Sequence, residues 1–585
     1  MTTTYFSDLV VEFLHQQGID KVAFNPGASF RGVHDSLVHA DNAAVAPGIV
    51  MTCHEEIAVA VAHGYHKASG RHMGVLVHAN VGLLHASMAV FNAWCDRVPL
   101  FVLGGNGPVD AGKRRPWIDW IHTSQNIESV VKDYVKWCDQ PVGQRATVES
   151  LYRAFKLMNT PMHAPVFVAL DFDVQEQPLE DGVRLLPASA TEPARLPALS
   201  DADLDDLTRR LLDARLPVLV VDFSGRDPGT VAPLVALAEA LGLAVVDRGN
   251  RMNFPTTHPL NISHTGTDLL AEADLVVALE VQDLVGALGA ILPLTDQGTP
   301  ANGADLVTIG FNELLTSKWA ADYQQFVPVT RAVAADTAGT VAALRAAAED
   351  PDGPFAAPAF VERREERAKV LAARHTEARA DWARQAEETK TRPRIHVAGA
   401  VDEIHRAVRD EEWILTNTGS LTIDGWVKKL WPLERPGSYL GLNGGGGLGY
   451  GLGASIGAAL AHQDDPALCI DLQADGDFLY TPSALWTLAA YDVPLLVVVM
   501  NNRLYLNSTQ HAARIAGHRD RDIDRAHIAT SFYDHPVDFV TMARSYGIHA
   551  LPRVERIDAV APAVREAVAH IKEHGKPALV EILME

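Results

Sequence analysis

The sequence predicts an α/β protein built from three doubly wound domains, each a parallel sheet covered by helices. Its 585 residues are too many for a single hydrophobic core. Short β-branched runs alternate with helical patterns along most of the chain, which favours parallel sheets with helices on both faces. Two stretches interrupt this alternation, a Pro- and Ala-rich linker at about 175–200 and a charged segment at 351–390. They separate predicted domains at 1–180, 201–350 and 391–585.

The first predicted domain starts with an amphipathic helix within residues 1–18 and continues as repeated βα units. Its predicted strands are 21–24, 49–53, 73–77 and 99–103, and a predicted helix spans 55–69. Several strands end at turn-forming residues, such as Asn25-Pro26-Gly27 after the first. This succession indicates a parallel sheet.

The second predicted domain repeats the pattern. It ends near residues 350–354, where proline and glycine interrupt the alternation of strands and helices. Its predicted strands are 217–221, 243–246, 275–279 and 306–309. Residues 360–390 then form a highly charged helical connector within the 351–390 segment. Mixed charge of both signs favours a solvated helix over an arm that binds nucleic acid.

Composition excludes several classes of protein. The formal net charge of −23 argues against nucleic-acid binding, which needs a basic face, but leaves small anionic ligands open. Four scattered cysteines without CxxC spacing indicate neither a disulfide framework nor a zinc site. The amino terminus lacks the basic start and long apolar core of a signal peptide, and no apolar run approaches the roughly 20 residues of a membrane span. We therefore expect a cytoplasmic protein without nucleic-acid or membrane partners.

The most informative stretch lies in the third predicted domain, between residues 468 and 502. An apolar strand at 468–472 is followed by Asp475-Gly476, a helix start with Thr481 as N-cap, and a helix up to residue 491. A β-branched strand then spans 495–499. The right-handed crossover of such a βαβ unit makes the two strands parallel. Asp475 and Asn502, 27 residues apart, therefore both follow the carboxyl end of a strand, where α/β sheets bind ligands.

A carboxylate and an amide oxygen at this edge are suitable ligands for a hard cation. Magnesium prefers oxygen ligands and usually keeps phosphate oxygens in its shell. Asp475 offers a carboxylate, Asn502 a side-chain carbonyl, and Gly476 allows a diphosphate to approach the backbone. The alternative is an ordinary turn at Asp475-Gly476 and an ordinary loop at Asn501-Asn502.

This stretch resembles the signature of the thiamine-diphosphate-dependent enzymes, GDG followed one crossover later by NN. The chain departs from it at Ala474, where glycine is usual. The resemblance implies magnesium bound by Asp475, Asn502 and the backbone carbonyl of Leu504, with Gly476 and Asp477 also at the cofactor. It further implies pyrimidine-binding, middle and diphosphate-binding domains in that order, and a homodimer or homotetramer with active sites between subunits.

A second position is Glu55, nine residues before Gly64-Tyr65. The family has a similar E-x-x-A…G-Y pattern, whose Glu hydrogen-bonds N1′ of the aminopyrimidine and drives the tautomer that generates the thiazolium ylid. The resemblance implies this role for Glu55. The alternative is a first-turn Glu favoured by the helix dipole. Glu56, the next residue, is expected to point elsewhere.

His78 follows the third predicted strand, 23 residues after Glu55, and this spacing resembles that of benzoylformate decarboxylase. There a His relays protons to and from the substrate-derived intermediate, a task that suits an imidazole; the alternative is a strand-end His bonded to backbone. The loop with Gly27 and Ala28 resembles N-P-G-S, which implies Gly27 at the cofactor and Ala28 at the substrate. Ala28 replaces a substrate-contacting Ser, which places benzoylformate itself in doubt.

Glycine is densest at residues 443–453. The run is a poor match to a dinucleotide-binding loop, whereas the family resemblance implies that Gly446 accepts from the cofactor's 4′-amino group and Leu448 enforces its bent form. Gly419 and Ser420, after an earlier strand, are implied contacts of the diphosphate. After Asn502, Tyr505 and His511 belong to the segment from which relatives build a substrate lid, and are candidates for substrate contact.

Together these features predict a thiamine-diphosphate- and Mg²⁺-dependent enzyme that cleaves or forms a C–C bond of a 2-oxo acid or related carbonyl substrate, through a C2 ylid and an enamine. Such a decarboxylase or carboligase is a lyase or transferase. Alternatives are an acetolactate-synthase-like carboligase, a 2-hydroxyacyl-CoA lyase, or a catalytically silent binding protein with the same fold. No clear loop for FAD or ADP is found in the middle domain.

Overall fold

The computed structural model describes residues 4–39, 46–266, 268–312 and 325–585. It contains three sheets whose strands all pair in parallel, which confirms the predicted fold class. The chain forms two compact units. The first comprises residues up to Pro193, Glu388–Asp424 and Leu442–Glu585, and the second comprises Ala194–Glu387 and Gly425–Gly441. Within the ranges described, no helix is both long and apolar enough to cross a membrane.

The amino-terminal part of the first unit is a six-stranded sheet in the order β2-β1-β3-β4-β6-β5. Its strands are β1 Lys21–Phe24, β2 Gly48–Met51, β3 Gly74–Val77, β4 Phe101–Asn106, β5 Trp137–Asp139 and β6 Val166–Asp171. Its helices are α1 Phe6–Gln16, α2 Arg31–Val38, α3 Glu55–Ser69, α4 Asn80–Cys95, α5 Asp119–His122, α6 Gln144–Asn159 and α7 Phe172–Glu176.

The predictions for this sheet hold for its first four strands and for α3. β1 and α3 have the predicted bounds, whereas β5 and β6 were not predicted. α3 ends at Gly70 in the left-handed conformation, a common helix C-cap. α1 buries Phe6, Phe13 and Leu14, as its amphipathic pattern predicts, although residues 1–3 lie outside the described ranges.

The second unit contains a five-stranded sheet in the order β11-β10-β9-β7-β8. Its strands are β7 Pro217–Val221, β8 Ala244–Asp247, β9 Leu275–Leu279, β10 Asp305–Ile309 and β11 Arg331–Val333. Its helices are α8 Asp201–Asp213, α9 Val231–Leu241, α10 Leu284–Gly289, α11 Thr337–Glu349 and α12 Pro358–Thr389. α12 is the predicted charged helix, but it does not only connect domains, because Phe360 and Leu371 pack into this unit's core.

The carboxy-terminal sheet has the order β12-β13-β14-β16-β15. Its strands are β12 Trp413–Asn417, β13 Leu468–Ala474, β14 Leu495–Asn501, β15 His549–Ala550 and β16 Ala578–Leu583. Its helices are α13 Val397–Val408, α14 Leu421–Leu430, α15 Tyr450–Ala461, α16 Asp475–Phe478, α17 Ala484–Ala490, α18 Leu506–His518, α19 Phe539–Ser545 and α20 Val560–His574. β13 and β14 are parallel neighbours, which confirms the predicted βαβ unit.

α3 and α15 pack so closely that their backbones are in contact. This contact joins the two sheets of the first unit. A Cβ added at Gly64 would lie 1.8 Å from the carbonyl oxygen of Ala454, and one added at Gly457 would lie 1.8 Å from that of Val61. Only glycine fits such close approaches. The crossing fixes the start of α3, and therefore Glu55, relative to the start of α15.

Candidate functional site

Asp475 and Asn502 lie at the carboxyl ends of the neighbouring strands β13 and β14. The Asp475 carboxylate is 3% exposed and accepts hydrogen bonds from the backbone N–H of Gly476, at 2.9 Å, and of Arg503, at 2.7 Å. Burial raises the pKa of Asp475 to about 6. Asn502 Oδ1 accepts from the backbone N–H of Leu504 at 2.9 Å.

This arrangement fits a hard cation. Among the residues that the structure describes, no group of three or more His, Cys, Asp or Glu side chains is placed to hold a metal ion. Magnesium does not need such a group, since one carboxylate, neutral carbonyl oxygens and phosphate oxygens suffice. Burial disfavours the negative charge of the Asp475 carboxylate. A cation beside this carboxylate would favour its ionised form.

Tyr505 lies directly over Gly476. A Cβ at Gly476 would be 2.6 Å from Cε1 of the Tyr505 ring, so this glycine is required by the ring in addition to any ligand. Tyr505 also contacts Phe532, with ring centroids 5.1 Å apart, and Tyr480, at 6.5 Å. His511 is exposed on α18, a helix with no buried residue. The structure thus places Tyr505 against the motif and His511 at the surface.

Asp477 bonds to the start of α15. Its carboxylate accepts from the backbone N–H of Gly449, at 2.8 Å, and of Gly451, at 3.1 Å, and from Gln473 Nε2, at 2.6 Å. The Thr481 hydroxyl donates to the Gly449 carbonyl at 2.8 Å. The prediction that Thr481 caps the crossover helix is therefore wrong, because α17 begins later, at Ala484, and the Thr481 hydroxyl is used at the start of α15.

Gly419 and Ser420 follow β12 and lie beside the end of β13. Gly419 has a φ of 58°, and a Cβ there would be 2.5 Å from the backbone nitrogen of Ala474. Ser420 Oγ accepts from the backbone N–H of Ile423 at 3.3 Å. The structure thus brings the predicted diphosphate contacts to the same sheet edge as Asp475.

Glu55 and His78 meet across Gly82. Glu55 is the first residue of α3 and is 6% exposed, whereas His54 caps the helix by accepting from the backbone N–H of Glu56 at 3.1 Å. A Cβ at Gly82 would be 2.7 Å from Oε1 of Glu55 and 2.9 Å from Cβ of His78. The two predicted catalytic residues therefore both lie against Gly82.

His78 is held on one side of its ring by a hydroxyl and faces a second histidine. Its Nδ1 lies 2.8 Å from Ser29 Oγ, and that oxygen accepts from the backbone N–H of Ala79 at 3.1 Å. The His122 ring lies perpendicular to His78, with centroids 5.0 Å apart. Burial lowers the pKa of His78, and the nearby charges of His122 and Arg115 lower it further against the opposing effect of Glu55.

Two residues that contact His78, namely Ser29 and His122, were not identified from the sequence. Ala28 is exposed, but the adjacent Ser29 supplies a hydroxyl to His78 from the same loop. A Cβ at Gly27 would be 2.6 Å from Cβ of His78, so this glycine makes room for the imidazole. Ser29 could have been inferred from its place in the loop, whereas no local pattern marks His122.

The glycine-rich stretch and Glu56 approach each other at the start of α15. Gly446 has a φ of 65°, and a Cβ there would meet no atom within 4 Å. Leu448 is half-buried. Glu56 points away from Gly82, and its Oε1 lies 2.9 Å from a Cβ built at Gly449. Burial and then the neighbouring Asp477 raise the pKa of Glu56 to about 7.

Two family models match the chain, one in its amino-terminal part and one in its carboxy-terminal part. Residues 4–129 match the N-terminal TPP binding domain of thiamine pyrophosphate enzymes, and residues 418–582 match the C-terminal TPP binding domain. These matches include Glu55 and His78 in the first domain and Asp475 and Asn502 in the second.

Related proteins are similar to the chain over nearly its whole length. Benzoylformate decarboxylase of Pseudomonas aeruginosa is 28% identical over 98% of this chain and 97% of its own. A probable chloroplastic acetolactate synthase 2 of Oryza sativa subsp. japonica is 26% identical over 96% and 81%. A solved structure, the thiamine diphosphate-dependent 4-hydroxybenzoylformate decarboxylase of Rhodococcus jostii RHA1, has the same fold, with a TM-score of 0.76 and 22% identity over 99% of both chains.

Proposed function

We propose a reaction on an established premise: the chain belongs to the thiamine-diphosphate-dependent decarboxylases and carboligases, which are lyases and transferases. The proposed substrate is a 2-oxo acid, which loses carbon dioxide and yields either an aldehyde or, with a second carbonyl compound, an acyloin. The observation that carries this proposal is the meeting of Glu55 and His78 across Gly82. It combines a buried carboxyl group with an imidazole suited to proton transfer.

Each side chain has a separate task in this proposal. Glu55 would hydrogen-bond the aminopyrimidine of thiamine diphosphate, and the bound cofactor supplies a nucleophilic carbon and an electron sink. His78 transfers protons through Nε2, because Ser29 Oγ engages its Nδ1. Its lowered pKa keeps the ring neutral at pH 7, so it can accept a proton there.

The cation is proposed to be Mg²⁺, held by Asp475, Asn502 and the carbonyl of Leu504. The oxygen character of these groups and their common position at one sheet edge support this choice. Gly419 and Ser420 lie at the same edge and would contact the diphosphate. Replacing Asp475 with Ala should abolish binding of magnesium and thiamine diphosphate together, and unchanged affinity in calorimetry would contradict the assignment.

A homodimer or homotetramer is also proposed. Trp117, Trp120 and Ile121, immediately before His122, are 74%, 76% and 40% exposed. Large apolar side chains grouped at a surface often mark an interface between proteins. In a homo-oligomer they would be covered next to the candidate catalytic residues. Sedimentation of the purified chain tests this, and a monomer at micromolar concentration would refute it.

The function is tested with Glu55→Gln and a panel of 2-oxo acids. The variant should retain thiamine diphosphate and lose turnover, because an amide cannot replace the carboxyl group in proton exchange with the cofactor. The exposed Glu149 of α6, changed to Gln, is the matched control and should keep wild-type turnover. Full activity of Glu55→Gln would refute the mechanism. Mass analysis of products, with and without acceptor aldehydes, distinguishes decarboxylase from carboligase.

A further inference from the structure

The glycine-rich stretch 443–449, here called the glycine loop, lies along one face of α4. A Cβ at Gly444 would be 2.8 Å from backbone of α4, and one at Gly445 would be 3.0 Å from the ring of a phenylalanine on it. A Cβ at Gly447 would be 2.2 Å from a methionine methyl group. The α4 residues in contact recur at helical spacing: Met88, Phe91, Asn92 and Cys95. Packing on the α4 backbone therefore accounts for Gly444, whereas Gly445 and Gly447 lie against side chains of α4.

Asn92 binds the backbone in the middle of the glycine loop. Its Nδ2 donates to the carbonyl of Gly447 at 3.1 Å, and its Oδ1 accepts from the N–H of the same residue at 3.1 Å. Asn92 is fully buried. Its amide thus pairs with both polar groups of one residue, and loss of either bond would leave a buried polar group without its partner.

The two neighbours of Gly447 are the residues expected to contact the cofactor. Gly446 is open to solvent at a positive φ, and Leu448 is half-buried. We infer that Asn92 is a positioning residue that acts through the Gly447 peptide to hold Gly446 and Leu448 ready for the aminopyrimidine. This inference rests on the proposed function.

The glycine loop needs such a hold in its middle. It carries few side chains, and glycine loses more backbone freedom on ordering than any other residue. Its two ends are fixed by other contacts, since Lys67 Nζ donates to the carbonyl of Leu442 at 3.2 Å and Asp477 accepts from Gly449. Asn92 fixes the peptide between those ends, which lowers the ordering cost left for the cofactor to meet.

The first test is hydrogen exchange of the glycine loop in the protein without added cofactor. Asn92→Leu keeps the side-chain size and removes both hydrogen bonds, so exchange of the Gly447 amide should become about ten- to a hundredfold faster. Asn92→Ala also removes both hydrogen bonds, and serves if the Leu variant does not fold. Leu84→Ala, at an exposed position of α4, is the control and should exchange like the wild type.

Calorimetry and kinetics test the cofactor part. In Asn92→Leu the affinity for thiamine diphosphate should fall about tenfold or more, and kcat should fall while KM for the 2-oxo acid stays unchanged. Unchanged exchange in both variants, or faster exchange with unchanged cofactor affinity, would overturn the inference. If the wild-type chain bound no thiamine diphosphate, the proposed function would fail, and the exchange data would show separately whether Asn92 holds the loop.

Discussion

Replacing Glu56 with Gln is expected to stabilise the cofactor-free protein above neutral pH. Glu56 and Asp477 both approach Gly449, the former within 2.9 Å of its Cβ position and the latter through a 2.8 Å hydrogen bond. Partial burial and this neighbouring carboxylate raise the pKa of Glu56 from 4.5 to about 7. Its ionised form is therefore less favourable in the folded state than in the unfolded state.

The magnitude follows from proton linkage. Between pH 4.5 and 7 the folded chain holds the Glu56 proton more tightly than the unfolded chain, so stability falls as pH rises through this window. At about 1.4 kcal/mol per pKa unit, the upper limit is about 3 kcal/mol. The side chain is only half-buried, so solvent screening reduces the expected effect to about 1–2 kcal/mol.

Urea unfolding at pH 5 and pH 8 measures this effect. The stability difference between Glu56→Gln and wild type should grow by about 1–2 kcal/mol from pH 5 to pH 8, because glutamine cannot ionise. The exposed Glu149→Gln variant should show no such growth. An equal stability difference at both pH values would refute the assigned environment of Glu56. So would a wild type whose stability relative to the variant is higher at pH 8 than at pH 5.

Two further predictions concern the pKa of His78 and the packing of α3 against α15. In His122→Asn the pKa of His78 should rise, because a like charge is removed, so the acidic limb of the kcat/KM profile should move to higher pH; an unmoved limb would contradict the coupling. Gly457→Ala should lower the free energy of unfolding by roughly 2–4 kcal/mol, since its Cβ would meet the Val61 carbonyl at 1.8 Å. Gly425→Ala, a helical glycine with no atom within 4 Å of its Cβ position, is the control and should be neutral or slightly stabilising.

The sheet edge that carries Asp475 and Asn502 could be predicted because its information is local. The two residues are separated by a single βαβ crossover, and chain connectivity alone brings them to neighbouring strand ends. The position of Glu55 was also predictable, since the start of α3 coincides with a pattern in the sequence. The strand ends were less accurate, as β13 and β14 each continue two residues beyond their predicted ends.

Residues that act from a distance in sequence could not be predicted in this way. His122 lies 44 residues after His78, and Asn92 lies 355 residues before the Gly447 peptide that it binds. Each contact depends on how two elements pack, and packing partners are not encoded in local periodicity. Glu56 was expected to point away from Glu55, and the structure shows that it does so towards Gly449 and Asp477.

The glycines show most clearly how one residue type serves two demands. From sequence, Gly476 and the glycine loop suggest close approach of a cofactor, yet the structure shows Tyr505 packed over Gly476 and Met88 packed against Gly447. Side chains of the protein therefore already occupy the space beside both glycines. Gly446 differs, because its Cβ position faces open space and only its φ of 65° favours glycine. Space for a ligand is therefore found at Gly446, on a backbone whose shape depends on side chains from another domain.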